Sequence, residues 1–329
     1  MRSAFATLSL LVLTGSVLAQ TPPPAGPPQA GAPAAAAAPA AGRGGRGDRP
    51  LRFALSPRST PRAAWVAPMR PHYKLSEVLA SHAGQAAWSQ TMVQDAHWTA
   101  RFIQLAPGEK TKKLFYPDTE MFWVVQSGQM RVSIDGLEPF IAEKSVIVQV
   151  PARTAFTMEV VGNAPALRFE VTHAGEMPVY AIEETPTPIP GYEFVRVGFT
   201  GPATPPTLNP EQIYLHFDRD VVGGKRPAGR FLKAGSLIRG ASIPTPPADD
   251  EGHWHVETSE FYFIMEGQLN YLLEGQELFT AVQGDVVYVP RGRFHRNNFT
   301  GTGTATRLAI FPTGDMNNLN PDNPSRQAP

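Results

Sequence analysis

Two stretches of the sequence repeat each other, and that repeat limits the folds open to the chain. The first runs Glu120-Met-Phe-Trp-Val-Val-Gln-Ser-Gly128-Gln and ends in Val146-Ile-Val-Gln-Val-Pro151. The second runs Glu260-Phe-Tyr-Phe-Ile-Met-Glu-Gly267-Gln and ends in Val286-Val-Tyr-Val-Pro290. Each has a carboxylate, an aromatic run, a Gly-Gln turn, further alternating residues and a strand closed by proline. The interval from the turn glycine to the proline is the same in both, 128 to 151 and 267 to 290. A shared interval marks an internal duplication, so two copies of one structural unit are expected. Short apolar or alternating runs broken by Gly, Pro and Asn dominate the rest, the pattern of sandwiches and barrels. Helical periodicity is confined to residues 74–83 and 210–217.

The copies set the expected organisation. The first domain covers 61–182 and the second 230–329, the latter opening with one or two strands over 231–243. A proline-rich inter-domain segment, 183–229, separates them. Residues 1–19 read as a secretory signal peptide. Arg2 precedes an apolar run from Leu8 to Leu13, Gly15 interrupts it, and a cleavage site is expected after Ala19. The run is too short to cross about 30 Å of hydrocarbon, and no other stretch approaches a membrane span. Residues 20–60, rich in Ala, Pro, Gly and Arg, read mainly as a disordered linker, because their small side chains bury too little surface to offset ordering entropy. The sequence therefore predicts an exported chain, periplasmic or secreted. It has no cysteine, so the core alone must hold it. Its formal net charge is zero and it has no basic stripe, which excludes nucleic acid as a partner and leaves a small molecule.

The residues that carry chemistry sit in the second copy. In an extended strand, side chains two apart share a face, so His253 and His255 can point together into a barrel. Glu260 opens the next strand and His295 arrives on a later one. Three imidazoles and a carboxylate suit one divalent transition metal ion, such as Zn, Mn, Cu, Fe or Ni, with coordination positions left open. A His-x-His pair alone is more often two surface histidines. Here it is flanked by Gly252, Gly267, Gly284, Pro290 and Gly292, and three of the eight histidines of the chain fall in this one unit.

That set resembles the double motif of the cupin superfamily, matched at His253, His255, Glu260, Gly267, Gly284, Pro290, Gly292 and His295. It departs at Pro247, where the family has glycine, and at Asn298, one residue early; neither departure removes a ligand. The resemblance is tight over the second motif unit and looser over both halves. It implies an all-β protein, a bicupin with two tandem jelly-roll barrels and metal in the second. It also allows a homodimer, because barrel edges in the family pair between chains.

In the first copy, Glu120 aligns by residue type with Glu260. Phe115 and Lys113 then take the places of the histidine pair, and Phe156 that of His295. The expectation is a filled barrel covering its partner; the alternative is a metal-free pocket lined by Phe115, Trp123 and Phe156. Near the metal set, Arg239, Arg293 and Arg296 are candidate anchors for a substrate carboxylate. Tyr262 shares the inward face of Glu260, either to bond substrate or to pack. Trp254 points the other way, into core, and Glu257 is a general base only if its loop closes over the site. The resemblance implies metal-dependent chemistry on a small organic molecule, with a lean toward a dioxygenase acting on a phenolic or enol-type substrate. An isomerase, lyase or decarboxylase is the first alternative. A non-catalytic cupin holding a sugar or organic acid is the second, and a structural protein with a vestigial metal the third.

Overall fold

The computed structural model describes residues 55–198, 207–241, 252–312 and 318–320. The signal peptide and residues 20–54 of the linker lie outside the described residues. The described residues fall in one compact unit.

The chain opens with β1 (His72–Tyr73) and α1 (Leu75–Ser81), then β2 (Trp88–Gln94), β3 (Trp98–Leu105), β4 (Leu114–Phe115) and β5 (Met121–Ser127). After these come β6 (Gln129–Ile134), β7 (Phe140–Glu143), β8 (Val146–Val150), β9 (Phe156–Val160), β10 (Ala166–His173) and β11 (Val179–Tyr180). A short α2 (Pro210–Ile213), β12 (Tyr214–His216) and a wide helical turn, Phe217–Val222, lead to the second half. That half holds β13 (Gly235–Ala241), β14 (Glu260–Glu266), β15 (Gln268–Leu273), β16 (Phe279–Val282), β17 (Val286–Val289), β18 (His295–Thr300) and β19 (Thr304–Ile310). The helices over 74–83 and 210–217 are shorter than the periodicity predicts, because the second gives way to β12 and the wide turn. No helix of the described residues is long and apolar enough to cross a membrane.

All strand pairing is antiparallel. The sheets β12-β8-β5-β10-β3-β2 and β11-β4-β9-β6-β7 close the first barrel, and the sheets β1-β17-β14-β19-β13 and β16-β15-β18 close the second. Alternation along the strands divides the core. On β5, Met121, Trp123 and Val125 face the interior of the first barrel. Phe122 and Val124 face outward, onto the second barrel. Phe261 and Phe263 of β14 do the same from the other side, so Phe169 stacks on Phe263 with ring centroids 4.8 Å apart. Full burial of an aromatic ring of this size contributes about 2 kcal/mol, and the interface between the barrels is thus a core in its own right.

The barrels also exchange strands. β1 precedes the first barrel in sequence but pairs with β17 of the second, His72 opposite Val287. β12, in the segment between the domains, pairs with β8 of the first, Tyr214 opposite Val148. Residues 55–73 therefore lie on the second barrel, although 61–73 were expected in the first domain and 55–60 in the linker. Arg58 Nε donates to the carbonyl of Gly292 (2.8 Å), its guanidinium pairs with Glu274 and lies over the Phe294 ring, and Trp65 Nε1 donates to the Tyr288 carbonyl (3.0 Å). Composition hid this because the anchoring depends on a few long side chains among prolines. Buried Asp285 holds the crossing, accepting from Leu75 N (2.9 Å) at the start of α1 and from Val282 N (3.0 Å), with His72 Nε2 at 2.8 Å.

The duplication is visible in the registers. Met121 lies opposite Val150 and Glu260 opposite Val289; Ile134 lies opposite Phe156 and Leu273 opposite His295. Each pair of equivalents is 139 residues apart (121 to 260, 156 to 295), and the bulge between β5 and β10 recurs at the same place between β14 and β19.

Candidate metal centre

The strand carrying the histidine pair is held by its neighbour. His253 N donates to the His295 carbonyl (3.1 Å) and His295 N to the His253 carbonyl (2.9 Å). Gly252 makes this approach possible. Its φ is +86°, and a Cβ there would lie 2.0 Å from the His295 carbonyl oxygen. Glycine alone adopts that conformation at low cost and leaves that space open.

His253, His255, Glu260 and His295 converge, each offering one ligand atom, with these atoms all within 4.8 Å of one another. His255 Nε2 and His295 Nε2 lie 3.2 and 3.1 Å from Glu260 Oε2. His255, Glu260 and His295 are buried, while His253 is partly exposed and marks the open side. The Arg293 carbonyl lies 3.1 Å from His295 Nδ1. It favours a proton on that nitrogen and leaves Nε2 a lone pair aimed at the cluster, as a ligating imidazole requires. Tyr262 Oη donates to Glu260 Oε2 (2.6 Å) and fixes the carboxylate.

The electrostatics fit a cation. Burial, the neighbouring His295 and, more weakly, the other cations hold the His253 imidazole down to about 3, so it is neutral and available as a ligand. Burial by itself would push the Glu260 carboxyl up, but in the metal-free protein the His255 and His295 imidazoles beside it outweigh burial and keep the group ionised. Burial first, and then the Glu260 charge, push the Tyr262 phenol well above its usual range, so it stays a donor. Three imidazoles and one carboxylate around a point open on one side form the donor set of a borderline divalent ion with free positions.

The other candidates fare differently. Arg293 points away from the cluster. Its Nε donates to the Ala63 carbonyl (2.6 Å), its Nη1 to the Glu274 carbonyl (2.7 Å), and its guanidinium lies over the Trp65 ring. Proximity in sequence misled here; the residue contributes its backbone carbonyl and clamps the N-terminal segment. Arg239 pairs with Glu266 at 3.1 Å, at the far end of β14 from Glu260. Neither side chain is placed to anchor a substrate on the metal. Glu257 is exposed. Trp254 is buried on the opposite face from the ligands, near the Phe294 ring.

In the first barrel the fixed offset replaces Glu120 as the match to Glu260. The equivalents of His253, His255, Glu260 and His295 are Leu114, Tyr116, Met121 and Phe156, and the bridge Leu114–Phe156 stands where His253–His295 does. Matching by residue type drew the alignment one place off; Glu120 corresponds to Ser259. All four ligands are gone, and Trp123 stacks on Phe156 (5.7 Å) to fill the interior. Sequence reading passed over two residues of the second barrel, Tyr271 and Arg307. Their signal was their inward place by strand alternation.

The whole defines a class, an all-β double barrel with, among the described residues, one three-histidine, one-glutamate centre in its second half. Residues 244–311 match the cupin domain family. No curated protein matches the chain. Among solved structures it is similar to a tryptophan-to-phenylalanine variant of Bacillus subtilis oxalate decarboxylase, at 15% identity over 79% of this chain and 82% of that one, with a TM-score of 0.47. It is also similar to the formate complex of Lactobacillus farciminis oxalate decarboxylase, at 14% identity over 79% and 91%, TM-score 0.47. The salicylate 1,2-dioxygenase of Pseudaminobacter salicylatoxidans is 12% identical over 73% of this chain and 83% of that chain, TM-score 0.51. The last likeness is one of fold.

Proposed function

We propose that the protein is an exported, metal-dependent enzyme acting on a small organic molecule, and that its chemistry takes place on an ion held by His253, His255, Glu260 and His295. The observation that carries this reading is the convergence of four ligand atoms within 4.8 Å of one another, on three buried residues and the partly exposed His253. A bound ion there supplies a Lewis acid for a substrate oxygen or for O₂. The chain's own residues do the rest. Tyr262 and the Arg293 carbonyl fix the orientation of Glu260 and His295, and the burial of His255, Glu260 and His295 limits their contact with water. One carboxylate against a dication leaves a net positive centre, which favours an anionic substrate or phenolate oxygen.

Within this class we favour a dioxygenase, in which both atoms of O₂ enter a phenolic or enol-type substrate. That choice follows the cupin resemblance of the motif, and fold likeness to a salicylate dioxygenase adds architecture only. An isomerase, lyase or decarboxylase uses the same ion without O₂. Loading outside the cytoplasm favours Zn, Cu or Mn over Fe(II). Metal analysis of protein purified from its native compartment, followed by O₂-uptake assays with phenols, keto acids and sugars, tests the reading. The expected result is one ion per chain and turnover that His255→Ala abolishes while the circular dichroism spectrum is kept. Binding without turnover across the panel refutes the enzyme, and a predominance of iron refutes the metal assignment.

A further inference from the structure

The two barrels share an arginine that only the first one neutralises. On β10, Arg168 and Glu170 are both buried, and Arg168 Nε donates to Glu170 Oε2 (2.8 Å). Arg101, opposite Glu170 on β3, adds a second cation at 3.5 Å. The first barrel thus carries its own internal anion, held between two guanidinium groups.

The offset of 139 carries Arg168 to Arg307 and Glu170 to Ala309 (168 to 307, 170 to 309). Ala309 lies opposite Ser236 on β13, as Glu170 lies opposite Arg101 on β3. The second barrel therefore keeps one arginine of the trio and loses both the carboxylate and the second cation. Arg307 lies on the inner face of β19, between Ala305 and Ala309, which line the interior. Its guanidinium carbon is 5.5 Å from the centre of the Tyr262 ring, whose hydroxyl touches Glu260. Its Nε is buried with no acceptor among the described residues.

A second buried donor points the same way. Tyr271 is fully buried beside Tyr262, ring centroids 5.3 Å apart, and its hydroxyl also has no partner among the described residues. The first barrel has Val132 at that position (132 to 271), opposite Met158, where the second has Tyr271 opposite Asn297. Leaving buried donors unpaired costs about 1–3 kcal/mol each. Arg101 and Arg168 of the first barrel also keep one nitrogen each without a partner among the described residues, but Glu170 lies between them as counter-charge. Beside the metal centre, a ligand carboxylate would supply both the charge and the acceptor.

We infer that Arg307, with the Tyr271 hydroxyl, recognises the carboxylate of a substrate bound at the metal centre, in the place where Glu170 sits in the first barrel. The inference rests on the metal-centre reading above and narrows its substrate class to small organic acids. A guanidinium and a phenol together match the two oxygens of a carboxylate, and the adjacent aromatic rings of Tyr262 and Phe299 favour a planar acid. This role makes Arg307 a specificity residue, in place of the arginines at 239 and 293.

The test is a calorimetric titration of the full chain loaded with Mn(II), using acetate, benzoate and oxalate against acetamide and benzamide. Wild type is expected to bind at least one acid ten-fold or more tighter than its amide. Arg307→Gln should erase that preference while still holding one metal per chain, and Tyr271→Phe should reduce it several-fold. Ala309→Glu, which restores the internal carboxylate, should mimic Arg307→Gln. If Ala309→Glu does not fold, Arg307→Gln decides. An undiminished preference in Arg307→Gln overturns the inference, because the anion then rests on the metal alone; so does wild type that binds no acid. A wild-type chain that takes up no metal refutes the metal-centre reading instead, and the same titration without metal then tests Arg307 by itself.

Discussion

Gly252→Ala should damage the metal centre without touching a ligand. At φ +86°, alanine costs about 1–2 kcal/mol of backbone strain. The new Cβ would also lie 2.0 Å from the His295 carbonyl oxygen, 2.6 Å from its carbon and 2.9 Å from Arg296 Cβ. Ordinary contact needs more than 3 Å to that oxygen, so the two strands must part by about 1 Å or more. The two backbone hydrogen bonds between His253 and His295 lie across that gap. Each contributes about 1 kcal/mol net. The expected total loss is about 3–4 kcal/mol for the metal-free protein, seen as a lower urea midpoint at an unchanged slope.

The loss in metal affinity should be larger than strain alone would give, because His253 moves relative to the other three ligands. Disturbing the residues that orient a ligand costs about 10–100-fold in affinity, and a displaced ligand belongs at the upper end. Competition against a chromophoric chelator measures this. Gly162→Ala is the control: φ there is +84°, but nothing lies within 4 Å of the added Cβ. It should show the backbone cost and leave metal affinity unchanged. Equal metal affinity in Gly252→Ala and wild type would refute the claim that this close approach sets the position of His253.

Two further outcomes follow from buried polar groups. Asp285→Ala removes the acceptor of two backbone N–H groups, Leu75 and Val282, and the partner of His72. It should cost about 3–5 kcal/mol and expose the amides around residues 72–75 to hydrogen exchange, whereas exchange confined to 282–286 would argue against a tether through Asp285. The metal-free protein should also lose stability in acid. His253 is neutral when folded, with its proton affinity depressed to about 3, so below the unfolded value near 6.5 the unfolded chain takes up a proton that the folded one refuses. Stability is thus fully present above about pH 6.5 and falls progressively toward pH 3. His253→Gln should flatten that fall in melting temperature, and an unaltered slope would count against the depressed imidazole.

How much of this was legible in the sequence depended on whether a local pattern carried it. The duplication was legible because the Gly-Gln turn and the proline-closed strand are local signatures, and their spacing survived. The ligand set was legible because a two-residue strand period places His253 and His255 on one face. Glu120 misled because residue type was allowed to outrank the spacing: the same offset that joined Gly128 to Gly267 already pointed to Met121. Strand exchange was illegible, since β1 and β12 are two and three residues long and their partners lie far away in sequence. Arg293 and Arg239 misled for a related reason, because nearness along the chain says nothing about where a long side chain finds its partner.

The two barrels together form a controlled comparison within one chain. At equivalent positions one interior has Leu114, Tyr116, Met121 and Phe156, and the other one partly exposed and three buried metal-type ligands. One closes its arginine with Glu170, and the other leaves Arg307 facing Ala309. Both changes run in one direction: the first barrel sets Glu170 between Arg168 and Arg101, whereas the second leaves a carboxylate among imidazoles and replaces the glutamate beside its arginine with Ala309. A fold needs only the first solution. An interior that sets an arginine near three imidazoles and a carboxylate suits a cation and an organic anion together, and that pairing of a metal with an organic acid is the physical reason to propose chemistry in the second barrel and support from the first.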